Sequence, residues 1–170
     1  MTPLQACTGS LLFLDSLSHA TGRESELFLV EGESAGQAVA ALRDPRSQAV
    51  LSLQGKPLNA LKASPRRVRT SRAFSALTAV LGDAPGTSLP LGQLRYRRLL
   101  LLMDPDADGI HTAALVQLFL LRCMPSLIEQ GFVWIIHAPW GEIRRPGHDL
   151  LVSFDAMEYR HQCRAVEGEP

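Results

Sequence analysis

The sequence predicts an α/β fold, with a mostly parallel sheet and helices on both of its faces. Short apolar segments of strand composition alternate with segments of helical composition along most of the chain. One of them, Leu99–Met103, is an unbroken apolar run, as expected for a strand that is buried on both faces. Acidic residues and glycines follow directly after two of these strands, at the edge where parallel α/β sheets place their functional sites.

The predicted elements follow one another in the order strand, helix, strand, irregular helix and loop, strand, long helix, strand. The strands are expected at Leu27–Val30, Ala49–Leu53, Leu99–Met103 and Phe132–His137. One helix starts near Gln37, and a second ends at Gly82 with four apolar residues on one face: Phe74, Leu77, Val80 and Leu81. The long helix covers about Ile110–Arg122, and apolar residues on all its sides predict that most of it is buried. Residues 83–92 are rich in proline, glycine and serine and predict a surface loop.

We expect one domain at residues 24–146, an N-terminal extension at 1–23 and a C-terminal tail at 147–170. The formal net charge is zero, so any affinity for nucleic acid must come from a local basic patch. Three widely spaced cysteines, Cys7, Cys123 and Cys163, predict no disulfide framework and suit a reducing cytosol. With neither a signal peptide nor a membrane span in the pattern, we expect a cytoplasmic protein with no membrane partner.

Three carboxylates stand at alternate positions after the Leu99–Met103 strand: Asp104, Asp106 and Asp108. Their mutual repulsion is relieved by a cation or by water, and Mg²⁺ is usually held by one or two carboxylates together with several waters. The alternative is an acidic turn that caps the following helix, because aspartate is favoured at helix N-termini. An EF-hand loop fits poorly, since Leu115 stands where a bidentate glutamate is needed.

A second candidate site follows the Leu27–Val30 strand, where Glu31 precedes the glycine-rich segment Gly32–Gly36. If the two strands are neighbours in one parallel sheet, Glu31 lies beside the aspartates; alternatively, it only caps a turn. After the Ala49–Leu53 strand, Lys56 follows Gly55 and is a cation that could meet a phosphate, although a surface lysine in a turn is the ordinary interpretation.

The most basic part of the chain is the segment 63–72, which contains four arginines. Arginine clusters of this kind suit phosphate backbones, and a solvated loop is the alternative. The DNA-binding candidates are therefore Lys56, Arg66, Arg67 and Arg69.

Two segments resemble the paired signatures of Toprim domains: LFLVEGESAG at Leu27–Gly36 and LLLLMDPDADGIH at Leu99–His111. The resemblance is to the B subunits of type IIA DNA topoisomerases, namely DNA gyrase and topoisomerase IV. It extends to LSLQGKPLN at Leu51–Asn59 and to Met124–Trp140, so that it covers roughly residues 10–146 in the family's order. The fold that it implies is the Rossmann-like Toprim sheet.

The resemblance also implies roles for individual residues. Glu31 matches a metal ligand that is also a candidate general acid or base, Lys56 matches a lysine near the cleaved DNA, and His111 matches a histidine beside the metal. The implied Mg²⁺ ligands are Glu31, Asp104, Asp106 and Asp108. Phosphoryl transfer needs cations that neutralise charge on the phosphate and on the leaving oxygen, which agrees with this set.

The chain departs from the family pattern at several positions. Glu33 stands in place of the usual aspartate, Gln54 in place of an arginine, Pro105 in place of a small residue, and Trp140 in place of a leucine. Gln54 removes one charge that would seek a phosphate. Together these differences would weaken contact with DNA without abolishing metal binding.

The B subunits that this sequence resembles carry an ATPase ahead of the Toprim domain, and their nucleophilic tyrosine lies in the partner A subunit. We therefore expect no ATPase in this chain and a role in DNA cleavage and rejoining only with a tyrosine-bearing, A-type partner, at the nucleoid. Two alternatives remain: a non-catalytic module that binds DNA or topoisomerase subunits as regulator or decoy, and a small Toprim nuclease that uses metal-activated water.

Overall fold

The computed structural model describes residues 13–16, 25–82, 94–137 and 139–168. The strands are β1 (Phe13–Leu14), β2 (Glu26–Glu31), β3 (Gln48–Leu53), β4 (Arg98–Leu102), β5 (Val133–Ile135), β6 (Gly141–Ile143) and β7 (Leu151–Ser153). The helices are α1 (Gly32–Leu42), α2 (Pro65–Arg69), α3 (Arg72–Leu81), α4 (Ala107–Cys123), α5 (Pro125–Glu129) and α6 (Ala156–Glu167). Most of the N-terminal extension, Cys7 and the loop expected at 83–92 lie outside the described residues.

The main sheet has five strands in the order β1-β3-β2-β4-β5. β3, β2, β4 and β5 run parallel, and the short β1 pairs antiparallel with β3 at one edge. Parallel strands that follow one another in the chain are connected through helices, which is the kind of crossover that parallel strands require. The mostly parallel α/β prediction is therefore confirmed.

Alternate residues of the strands face two different helical layers. Leu27, Leu51 and Leu101 belong to one core, to which α2, α3, α4 and α5 contribute apolar side chains. On the opposite face, Phe28 and Leu102 lie against α1, where they line a small surface cavity with Ala38, Val39 and Leu42. Strands β2, β3 and β4 are thus buried on both faces, which explains their almost continuous apolar sequences.

Helix starts follow the expected capping chemistry at three of the helices. Ser64 accepts a hydrogen bond from the backbone N–H of Arg67 and is followed by Pro65 at the first position of α2. Asp106 caps α4, and Asp155 caps α6 by accepting from the N–H groups of Met157 and Glu158. Because Asp106 is the cap, α4 begins three residues before the predicted Ile110.

The long helix α4 is less buried than its composition predicts. Its inner face holds Val116, Phe119 and Leu120 in the core, whereas Ile110 is 64% exposed and Leu121 is 55% exposed. The prediction of burial around most of the helix was therefore wrong, because the sheet covers only one side of it. Among the described helices, none is both long enough and apolar enough to cross a membrane.

Two stacked rings join α3 to α4 at the centre of the larger core. The ring centroids of Phe74 and Phe119 are 4.0 Å apart with an interplanar angle of 7°, and both side chains are fully buried. The predicted apolar face of α3, which includes Phe74, is buried as expected, and Gly82 ends the helix in the left-handed conformation with φ +84°.

The C-terminal part forms a second, two-stranded sheet that the sequence did not indicate. β6 and β7 pair antiparallel, and the turn between them contains the boundary expected at residue 146. Trp140 packs against Tyr159 of α6, with ring centroids 5.5 Å apart. Gly141 lies so close to the same ring that a Cβ there would be 2.6 Å from it. The strand predicted at Phe132–His137 is shorter in the structure, where β5 covers Val133–Ile135, and two further strands follow it.

The Phe74–Phe119 stack leads to a prediction about stability. We expect Phe119→Ala to lower the free energy of unfolding by about 3–5 kcal/mol, because it removes a fully buried ring and leaves a cavity against Phe74. Leu121→Ala, two residues further along α4 on its exposed side, is the matched control and should change it by no more than about 0.5 kcal/mol. Urea unfolding monitored by circular dichroism measures both; equal losses would contradict the described orientation of α4.

Candidate metal and DNA site

The site is built on the carboxyl ends of two neighbouring parallel strands. β2 and β4 pair in register with Val30 opposite Leu102, so Glu31 and the aspartates after β4 emerge at the same edge of the sheet. Neighbouring strands lie about 4.8 Å apart, which sets the scale of the separation between the two chain segments here. Glu31 is half-buried and Asp104 is exposed. The sequence expectation that these strands adjoin is therefore fulfilled.

Two glycines shape the backbone at this edge. Gly32 has φ +80°, a conformation that side chains disfavour, and it lets the chain pass directly from β2 into α1 after Glu31. Gly109, in the first turn of α4, lies against the backbone of Asp104, where an added Cβ would overlap the Asp104 carbonyl oxygen. From the sequence, Gly109 could be recognised only as part of a motif. The structure explains why a glycine is needed there: the helix and the loop approach too closely for a Cβ.

Asp106 has a structural role that its hydrogen bonding defines. Its Oδ1 accepts a hydrogen bond of 2.8 Å from the backbone N–H of Gly109. The alternative interpretation of the acidic turn, a helix cap, therefore holds for this aspartate. A carboxylate has two oxygens and several lone pairs, so the cap leaves acceptor capacity for a cation.

Lys56 and Asp108 form an ion pair across the site. The ammonium Nζ lies 2.6 Å from Oδ1 of Asp108, although 52 residues separate them in the sequence. The hydrogen bond from Lys56, and then its charge, hold the pKa of the Asp108 carboxyl below its usual value, and His111 contributes in the same direction. His111 itself is exposed, three residues further along α4.

The predicted ligands do not form a closed cage. Within the described ranges, no three acidic, histidine or cysteine side chains come together closely enough to hold a metal ion. In the same part of the chain, no hydrogen bond or ion pair engages the carboxylates of Glu31 or Asp104. The donor set nevertheless suits Mg²⁺, which keeps several waters and needs only one or two carboxylates. One of the four predicted ligands, Asp108, already has a cationic partner in the Lys56 ammonium.

The three predicted arginines lie on the short helix α2 and are all exposed. Arg122, near the end of α4, donates to the backbone carbonyl oxygens of Ala60 and Ala63 in the segment before this helix, the latter at 2.9 Å. Sequence reasoning missed Arg122, because a lone arginine at the end of a helix gives no sign of partners about 60 residues away. The structure brings Lys56 to the acidic turn; Arg66, Arg67 and Arg69 belong to a separate exposed surface.

An open cavity of about 350 Å³ adjoins the acidic turn. It lies between α4 and the end of β5, and its lining includes Asp104, Pro105, His137 and Phe154. His137 is exposed at its rim, and nothing in its contacts makes it a ligand of the acidic turn. No sequence pattern indicated this cavity, because Phe154 reaches it from the C-terminal hairpin.

Comparisons with known proteins agree with this geometry. The model of the Toprim domain family matches residues 26–137. The B subunit of the type 2 topoisomerase of Aquifex aeolicus is 36% identical over 148 residues, which are 87% of this chain and 19% of that protein. The B subunit of the DNA gyrase of Archaeoglobus fulgidus is 37% identical over 155 residues, 91% of this chain and 24% of the relative. The B subunit of DNA topoisomerase 4 of Caulobacter vibrioides is 36% identical over 145 residues, 85% of this chain and 21% of the relative.

A solved structure has the same fold. The DNA-binding, cleavage and re-ligation domain of Plasmodium falciparum topoisomerase II superposes with a TM-score of 0.72 and 23% identity, covering 90% of this chain and 22% of that one. The chain thus spans about a fifth of the length of the relatives that it matches. The adjoining acidic strand ends, the glycine turns around them and the family match over residues 26–137 lead to one conclusion: the chain belongs to the Toprim domain family, with the B subunits of gyrase and topoisomerase IV among its relatives.

Proposed function

We propose that this chain is a Mg²⁺-binding Toprim domain that cleaves and rejoins DNA together with a partner subunit that supplies the tyrosine. The single observation that carries the proposal is the emergence of Glu31 and the aspartates at one edge of the sheet, beside neighbouring parallel strand ends. The names of the relatives, which are B subunits of topoisomerases, support a partner of the A type.

The acidic residues at this edge of the sheet would have two roles, metal binding and proton transfer. Asp104 and Asp106, with Glu31 and Asp108, would hold Mg²⁺ through their carboxylate oxygens, the ligand type that this hard cation prefers. When bound, the ion supplies positive charge for the phosphate and for the leaving oxygen in phosphoryl transfer. Glu31, which is half-buried and unengaged by other described groups, would exchange a proton with the reacting oxygens.

Neither tyrosine of this chain suits the role of nucleophile. Tyr96 is buried and donates a hydrogen bond to Asp15, and burial followed by that carboxylate raises the pKa of its phenol, which keeps it protonated. Tyr159 packs against Trp140 and Gly141 in the C-terminal unit. As the sequence contains only these two tyrosines, the attacking hydroxyl would come from a partner.

DNA would be held by local positive charge, because the chain as a whole is neutral. Arg66, Arg67 and Arg69 are exposed on α2 and form no ion pair with the acids in the described segments. Guanidinium groups that are free in this way can pair with backbone phosphates. Lys56 would approach the phosphate nearest to the acidic turn.

Magnesium binding predicts a shift in thermal stability. We expect MgCl₂ at ten times its dissociation constant to stabilise the folded chain by about 1.4 kcal/mol, because a ligand of the native state alone shifts the equilibrium. For a chain of this size this raises Tm by roughly 3–5 °C. The double variant Asp104→Asn/Asp106→Asn should lose this response, as measured by differential scanning fluorimetry.

Substitution by asparagine tests the effect of the carboxylate charge without removing the helix cap. Asparagine at position 106 keeps an oxygen for the N–H of Gly109, so α4 remains capped while the carboxylate charge is removed. Asp155→Asn, which makes the same change at the cap of α6, is the matched control and should retain the full response to Mg²⁺. An unaltered response in the double variant would remove the metal site from the acidic turn.

Partner-dependent chemistry gives the test of function. We expect Mg²⁺-dependent nicking of supercoiled plasmid when the chain is mixed with a gyrase A subunit, and none from the chain alone. Glu31→Gln should slow nicking by about 10²–10⁴-fold, because it removes a proton-transfer group while keeping the shape. Glu33→Gln changes the next acid, which is exposed on α1, and should have little effect on the rate of nicking.

Two other outcomes would favour the alternative functions. Co-purification with the A subunit without any cleavage would favour a binding module, and nicking by the chain alone would favour a nuclease.

A further inference from the structure

The turn after β3 contributes one cation to an edge that is otherwise acidic. Residues 54–59 read Gln-Gly-Lys-Pro-Leu-Asn, so Lys56 is the only charged side chain in this turn. Its Nζ is 2.6 Å from Oδ1 of Asp108, the distance of a direct, charge-assisted hydrogen bond. Glu31 and the three aspartates follow neighbouring strands at this edge of the sheet, and the ammonium pairs with one of these acids, Asp108.

The sheet order determines where this ion pair lies. β2 lies between β3 and β4, Lys56 follows β3, and Asp108 opens the helix that follows β4. The Lys56–Asp108 pair therefore joins the two segments that follow the neighbours of β2, the strand that ends at Glu31. A cation held by Glu31 and the aspartates would bind at this same edge of the sheet.

We propose that Lys56 is a built-in counter-ion of the acidic turn, which occupies Asp108 in the metal-free chain and is displaced when Mg²⁺ binds. The proposal rests on the magnesium site proposed above and assigns a further role to its neighbouring lysine. A divalent cation beside Asp108 repels the ammonium and also competes for the same carboxylate oxygen. The two cations therefore oppose each other, and the ion pair lowers the affinity for the metal.

The local structure allows this exchange to occur by movement of the side chain alone. The side chain of Lys56 is 41% exposed and that of Asp108 is 73% exposed, so solvent and ions can reach both partners. On the C-terminal side of Lys56 the chain is anchored by the buried Pro57, and on the other side Gly55 turns the backbone with φ +70°. A released ammonium would remain at the acidic edge on its four-carbon stem, available to a phosphate of bound DNA.

The first test measures the affinity for Mg²⁺ by isothermal titration calorimetry with MgCl₂ alone. We expect Lys56→Met to bind Mg²⁺ about two- to fivefold more tightly than the unaltered chain, the factor that an exposed ion pair contributes. Lys62→Met is the matched control: it removes the same charge from the other exposed lysine of the chain, and should leave the affinity unchanged. The gain should shrink at high ionic strength, because exposed charges are screened.

The second test observes the ammonium directly by nuclear magnetic resonance. Since the chain has only two lysines, a spectrum of the ammonium nitrogens contains two signals, which the two variants assign. Saturation with MgCl₂ should move the Lys56 signal towards the position of the Lys62 signal, which itself stays in place. A Lys56 signal that does not move at saturation would overturn the proposal.

The outcomes separate this proposal from the one on which it rests. Equal Mg²⁺ affinities in all three proteins, or weaker binding by Lys56→Met, would overturn the counter-ion role while retaining the magnesium site. No binding heat in any of the three proteins would remove the magnesium site and the counter-ion role together. Tighter binding by Lys56→Met alone, with displacement of the Lys56 signal, is the result that supports it.

Discussion

The site depends on the parallel pairing of β2 with β4. The register that sets Val30 opposite Leu102 brings two chain segments about 70 residues apart to one edge of the sheet, and each of them carries acids. A slip by one residue would turn every side chain of a strand to the other face, so burial on both faces strongly specifies this register. The fully buried Leu27, Leu29 and Leu101 therefore determine the position of the acids, although they lie away from them.

The repulsion among the carboxylates of the acidic turn is reduced by two different groups, each of which binds one carboxylate. Asp106 is bound by a backbone N–H at the start of α4, and Asp108 by the ammonium of Lys56. The helix itself favours negative charge at its N-terminus. Glu31 and Asp104 receive no such partner among the described groups, so both of their carboxylate oxygens can accept other donors or a cation.

Much of this arrangement could be predicted from the sequence because it follows from local patterns. The apolar run Leu99–Met103 indicated a strand covered on both sides, and the strand–glycine–helix pattern around Glu31 indicated a turn at the carboxyl end of its own strand. Long-range polar contacts could not be predicted: neither the bond between Lys56 and Asp108 nor the bonds from Arg122 to the segment before α2 leave a periodic trace. The β6–β7 hairpin was missed because its strands have only three residues each, too few to show alternation.

Helix α4 also sets the distance between the acidic turn at its start and the segment before α2 near its end. Its first turn carries Asp108, and Arg122 near its other end holds the segment that leads into the arginine helix α2. Fourteen residues at 1.5 Å each put these points roughly 21 Å apart along the axis. A duplex advances by about 3.4 Å per base pair, so one that touched both surfaces would span roughly six base pairs between them. If this chain binds DNA as proposed, the length of α4 sets how far along the duplex the arginines of α2 lie from the acidic turn.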